Sequence, residues 1–91
     1  MNAVTIKHSF TLNGVQVVVM HAQAGEGIPM HEHPNAHMTM CHAGKLAVRK
    51  EGVYVELSKD STPVLLSENS PHELEALEDG TIFVNISAVQ V

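Results

Sequence analysis

Gly25-Glu26-Gly27-Ile28-Pro29-Met30-His31-Glu32-His33-Pro34-Asn35-Ala36-His37 is the stretch on which the fold turns. In His31-Glu32-His33 the imidazoles stand two residues apart, so on an extended strand they share one face while Glu32 points away. Pro34-Asn35 supplies a turn, and the strand after it returns His37 to the same face. Thr39 and Cys41 then follow His37 inward, and Met38, Met40 and His42 face outward. Metal sites commonly join a tight local pair to remote donors, and His72 is a remote donor on another strand. The bland alternative is a set of exposed polar residues on a hairpin, because H-x-H is short and has many chance matches.

Outward from this stretch, runs rich in Val, Ile and Thr alternate with Gly, Asn, Pro and Asp at spacings of about 8–12 residues, the pattern of an all-β sandwich or barrel. Strands are expected over residues 4–10, 15–23, 30–33, 37–42, 46–50, 53–57, 64–67, 72–77 and 81–91. Turns are expected at Asn13-Gly14, 24–27, Pro34-Asn35, Ala43-Gly44, Glu51-Gly52, 60–63, 68–70 and Asp79-Gly80. Around Ser70-Pro71-His72-Glu73 local rules tie: an N-cap Ser, Pro at N1 and Glu at N3 describe a helix start, while the alternation His72, Leu74, Ala76 describes a half-buried strand.

The 91 residues leave room for one domain, 1–91, with one core. Apolar residues make up 44% and charged residues 16%, which disfavours disorder. The net charge is −5 and the five Lys and Arg are scattered, so a nucleic-acid footprint is missing and no nucleic-acid partner is expected. No apolar run is long enough for a membrane-spanning helix, and no membrane partner is expected. The first residues lack the pattern of a signal peptide, and Cys41 is the single cysteine, so a cytoplasmic, reducing location is expected. Seven histidines are the one compositional excess, and four of them fall between His31 and His42.

Gly25 to Gly44 resembles the first motif of the cupins, G-x5-H-x-H-x3-E-x6-G, at every spacing, with His37 standing where the acidic residue is usual. The second motif, G-x5-P-x-G-x2-H-x3-N, is degraded: Ser61, Ser67, Asn69 and Ala76 occupy its Gly, Pro, Gly and Asn positions, and His72 alone survives. Asn69 can adopt the left-handed conformation that glycine would supply. The resemblance covers roughly residues 12–89. It implies a double-stranded β-helix (jelly-roll barrel), resolves residues 72–77 as a strand, and implies a divalent metal ion held by His31, His33, His37 and His72. Small cupins with all-histidine sites hold manganese, iron, zinc, nickel or copper, and homodimers are frequent among them. The outward Met38 and Met40 also fit a covered surface and a homodimer.

Four neutral imidazoles leave the ion its full dipositive charge, which favours anionic ligands. On the alternation, Glu32, Glu73 and Glu75 point outward, which argues against hydrolysis by paired carboxylates and favours Lewis-acid or redox chemistry. Two functions follow: a metal-dependent oxygenase or isomerase acting on a small anionic, enolisable molecule, or a non-catalytic module that binds metal or a small molecule. Cys41 reads as a small buried hydrophobe, although it and His21 are reserve donors; His8 and His42 read as surface residues, and the methionines as core fillers.

Overall fold

A computed structural model describes residues 1–88; the last three residues of the final expected strand lie outside the described residues. Ten strands form: β1 (Asn2–Ala3), β2 (Thr5–Leu12), β3 (Val15–Ala22), β4 (Glu26–His31), β5 (His37–Ala43), β6 (Leu46–Lys50), β7 (Val53–Leu57), β8 (Val64–Leu66), β9 (His72–Ala76) and β10 (Thr81–Ala88). They build two five-stranded sheets, ordered β1-β4-β9-β6-β7 and β2-β3-β10-β5-β8, whose pairings are antiparallel except for the short parallel contact of β1 with β4. The tie at Ser70 to Glu73 resolves as strand β9, and β6 and β7 have the expected bounds.

The alternation of each strand decides what lies between the sheets. On β9, His72, Leu74 and Ala76 are buried while Glu73 and Glu75 sit at the outer side. The core joins Leu46, Val48, Leu57 and Leu74 of the first sheet to Met20, Cys41, Leu66 and Phe83 of the second. Each such Leu or Phe withdrawn from water contributes on the order of 1.5–3 kcal/mol. The β2–β3 hairpin turns on Asn13 and Gly14, both at positive φ (52° and 77°), the two-residue turn whose twist matches its strands. Gly44 closes the first histidine-rich segment at φ 74° and lies against Thr81, so a side chain there meets both strain and a clash.

Two expectations need correction. The strand carrying the first histidines begins at Glu26, after a tight turn closed by Glu26 N–H donating to the Gln23 carbonyl (3.0 Å), and ends at His31. The expected strand over 30–33 is therefore displaced, and His33 lies in the loop that follows β4. The physical reason is a one-residue bulge: Ile28 pairs with Leu74 and His31 with His72, so three residues on β4 span two on β9. Pro29, which has no N–H to lose, sits in this interval. Of the methionines read as core fillers, Met20 fills the core, whereas Met30 and Met38 are exposed.

Candidate metal centre

The bulge sets the direction of the histidines. Without it, Met30 would share the inward parity of Ile28; with it, Met30 is exposed and His31 turns inward opposite His72. His33 follows from the loop, whose carbonyl accepts from the Asn69 N–H at 2.8 Å. Asn69 takes φ 57°, the left-handed conformation its place in the degraded motif requires, and thereby ties the two motif segments together. His37 opens β5 and faces inward with Thr39 and Cys41, as the alternation expects.

The ligand atoms of His31, His33 and His72 all lie within 4.8 Å of one another. His37 joins them ring to ring, with its centroid 4.5 Å from that of His33 and 5.0 Å from that of His72. Three of the four rings are clipped in the same way: His31 Nδ1–H donates to the Pro29 carbonyl, His33 Nδ1–H to that of Asn35 and His72 Nδ1–H to that of Ser70, each at 2.8 Å. A carbonyl only accepts, so each of these Nδ1 atoms carries the proton and each Nε2 keeps its lone pair free for a cation. His37 has no such clip.

The test of fit lies in the nitrogens left over. His72 Nε2 and both ring nitrogens of His37 are buried with no hydrogen-bond partner among the described residues. Buried polar atoms seldom stay unpaired without cost; of the three, one His37 nitrogen carries the N–H of a neutral ring, and the other, with His72 Nε2, offers a lone pair that calls for an acceptor. Protons are poor candidates for that role. Burial first, then the nearby His33, His72 and His31, pushes the His37 pKa down from 6.5 to about 4. Burial lowers that of His72 too, against the opposing pull of the Ser70 carbonyl. Neutral imidazoles with free lone pairs fit a divalent first-row metal ion.

A cleft of about 260 Å³ opens beside the centre, lined by His33 and His37 together with Gln16, Asn35, Asn85 and Ser87. Strand register explains this wall. Across β3, β10 and β5 the inward residues run Gln16, Ser87, His37 at the mouth, then Val18, Asn85, Thr39, then Met20, Phe83, Cys41 in the core. Composition had singled out none of Gln16, Asn85 and Ser87; the one usable signal was that polar residues interrupt otherwise apolar strands at inward positions.

The other residues weighed from the sequence lie elsewhere. His21 pairs with Thr5 and Ile82 and lines a separate cleft with Lys7 and Glu26. The Cys41 thiol donates to the Ala43 carbonyl at 3.2 Å, and burial raises its pKa, so it stays protonated. Glu73 and Glu75 bind Arg49 at 2.9 and 2.7 Å on the outside, Glu32 is exposed, and Tyr54 donates to Glu56 at 2.8 Å.

No family model matches the sequence, and no curated protein matches it. Solved structures do. An RmlC-like cupin protein from Desulfovibrio desulfuricans superposes with a TM-score of 0.76 at 16% identity, over 93% of this chain and 82% of that one. An uncharacterized conserved protein with a double-stranded β-helix domain from Klebsiella pneumoniae gives 0.79 at 21%, over 94% and 72%. KdgF from Halomonas sp. gives 0.82 at 16%, over 92% and 77%. With two facing sheets, the histidines gathered at one end between them and these neighbours, the chain has the double-stranded β-helix fold of the cupins.

Proposed function

We propose that this protein binds one divalent metal ion through His31, His33 and His72, with His37 beside them as the fourth donor, and acts on a small anionic, enolisable molecule as a metal-dependent oxygenase or isomerase. The observation that carries the reading is the set of unpartnered buried nitrogens on His37 and His72. The ion would supply Lewis-acid or redox chemistry. The chain supplies the rest: three carbonyls orient the rings, burial keeps His37 neutral, and the uncharged polar cleft admits the ligand.

A second reading has its own support. Among the described residues no Asp, Glu or Lys lines the cleft, so general acid or base groups other than imidazole are missing from that lining, which suits a non-catalytic binding module. Elemental analysis of the purified protein, followed by an oxygen-consumption and isomerisation screen against small enolisable acids and diketones, separates the two. A redox-active metal with turnover supports the enzyme; zinc without turnover supports the module; a protein that takes up no metal removes the enzyme and leaves only a module that binds a small molecule.

The same proposal includes a homodimer. On the outer face of the second sheet, Phe10, Val17, Ile86, Met38 and Leu65 form one apolar row across all five strands, and His8, Val19, Val84 and Met40 form the next. Three strands of eight residues, one of seven and one of three, about 4.8 Å apart at about 3.3 Å per residue, present roughly 540 Å², about two-thirds of what a standard interface takes from each partner. Neither row holds a charge that would select a complementary partner, and every residue of β2 is exposed in the single chain, so the occupant proposed is a second copy. A cytoplasmic location is kept with it, on the buried free thiol of Cys41.

A further inference from the structure

Thr39 is fully buried, and its hydroxyl donates to Asn85 Oδ1 at 2.6 Å. In a core this small, two apolar residues at this register position would pack without the cost of burying polar atoms, so the pair needs a reason. The hydrogen bond supplies one. With Oδ1 occupied by Thr39, the Asn85 carboxamide is held with its NH2 group as the free end, and that group has no partner among the described residues. Asn85 lines the cleft, one register step below Ser87 and His37. The cleft therefore has an oriented, unpartnered donor beside the imidazoles and, among the described residues, no acidic side chain to repel an anion. Its volume of about 260 Å³ lies just under the usual range for drug-sized ligands and suits a molecule of a few carbons.

We infer that Asn85 reads the ligand: its NH2 group donates to an oxygen of a small carboxylate lying beside His33 and His37, and Thr39 is the positioning residue that fixes the amide. This rests on the metal-centre reading above and narrows the ligand from an anion in general to a short carboxylate met by a neutral donor. Asn85→Asp replaces that donor by an acceptor of negative charge, so it reverses the preference instead of merely weakening it.

The test is calorimetric binding of pyruvate and of pyruvamide, its uncharged amide, to manganese-loaded protein, with metal content measured on each variant. The parent is expected to prefer pyruvate. Asn85→Asp should keep its metal, lose roughly 10–100-fold in pyruvate affinity and prefer pyruvamide. Thr39→Val should weaken pyruvate binding with metal content unchanged, and Thr39→Ser, which keeps the hydroxyl, should restore it. The inference is overturned if Asn85→Asp binds pyruvate as the parent does, if Thr39→Val is indistinguishable from the parent, or if metallated parent binds no pyruvate. A parent that takes up no metal sinks the preceding reading instead. Pyruvate binding to the metal-free protein then decides this one by the same Asn85→Asp comparison, and no binding there overturns it.

Discussion

The two sheets present opposite outer faces. On the first, cross-strand rows read Tyr54, Arg49, Glu73 and Glu56, Ala47, Glu75, with Arg49 bridging both glutamates. On the second, the rows read Phe10, Val17, Ile86, Met38, Leu65 and His8, Val19, Val84, Met40. Phe10 and Leu65 are 53% and 60% exposed. One face is made for water, and the other is apolar across its full width. The inner faces differ as well: the first sheet and the loop after β4 bring three rings fixed by backbone carbonyls, whereas the second brings His37, which has no such hold, and the amide wall of the cleft.

The largest effect is expected from charging the apolar face. Val84 lies between Val19 and Met40 near its middle. Val84→Asp would place an unpaired carboxylate in the proposed interface, at a cost of several kcal/mol. It should convert a dimer into a folded monomer, because on a lone chain the same position meets solvent. Sedimentation at micromolar concentration reads this directly. A parent already sedimenting at 9.8 kDa would break the contrast between the faces.

Next comes the contrast between the clipped rings and His37. Outer residues that merely orient a ligand cost roughly 10–100-fold in metal affinity, so His72→Ala, which deletes a donor, should cost more. His37→Glu should remain metallated, with the charge of the site reduced and anion affinity lowered. Metal content by elemental analysis, on both variants prepared alike, checks the pair. If His72→Ala held metal as well as the parent, the ligand set would have to be redrawn without β9.

A smaller effect, in the metal-free protein, follows from the His37 pKa of about 4 against its ordinary value of 6.5. Between these values the unfolded chain takes up a proton that the folded chain refuses. Stability therefore rises with pH across the window and is lost as pH falls from about 6.5 toward 4. At about 1.4 kcal/mol per pKa unit the upper bound is about 3 kcal/mol, and water reaching the site should leave about 1–2. Urea midpoints at pH 7.5 and 4.5 should differ more for the parent than for His37→Leu; equal differences would show that His37 titrates freely.

Much of this was legible in the sequence, and the failures are physical. Period-two alternation placed His37, Thr39 and Cys41 inward and Met38 outward, because one turn and one parity govern β5. It misplaced β4, since a bulge changes parity mid-strand and nothing in Pro29-Met30 announces which residue is extra. β1 escaped because two residues pairing with β4 leave no periodicity to read. The carbonyl clips on His31, His33 and His72 were invisible, being properties of backbone path. The apolar outer face was glimpsed only at Met38 and Met40, because its rows run across five strands and never along one.

The smallest effect should come from the charged face, where the interactions look strongest on paper. Arg49 donates to Glu73 at 2.9 Å and Glu75 at 2.7 Å, and its guanidinium lies 5.6 Å from the Tyr54 ring centre. The arginine side chain is 36% exposed, however, so water competes for each contact and dissolved salt screens the rest. Arg49→Met keeps most of the apolar stem that covers the buried Ala47 row and removes only the charge. Its melting temperature should therefore stay close to that of the parent, with any difference shrinking as salt is raised, and its sedimentation and metal content should not move. A loss as large as that from stripping the metal would mean that this face is held together by its ion pairs. The division between a face built for water and a face proposed to meet a second copy would then fail on the side where it looks safest.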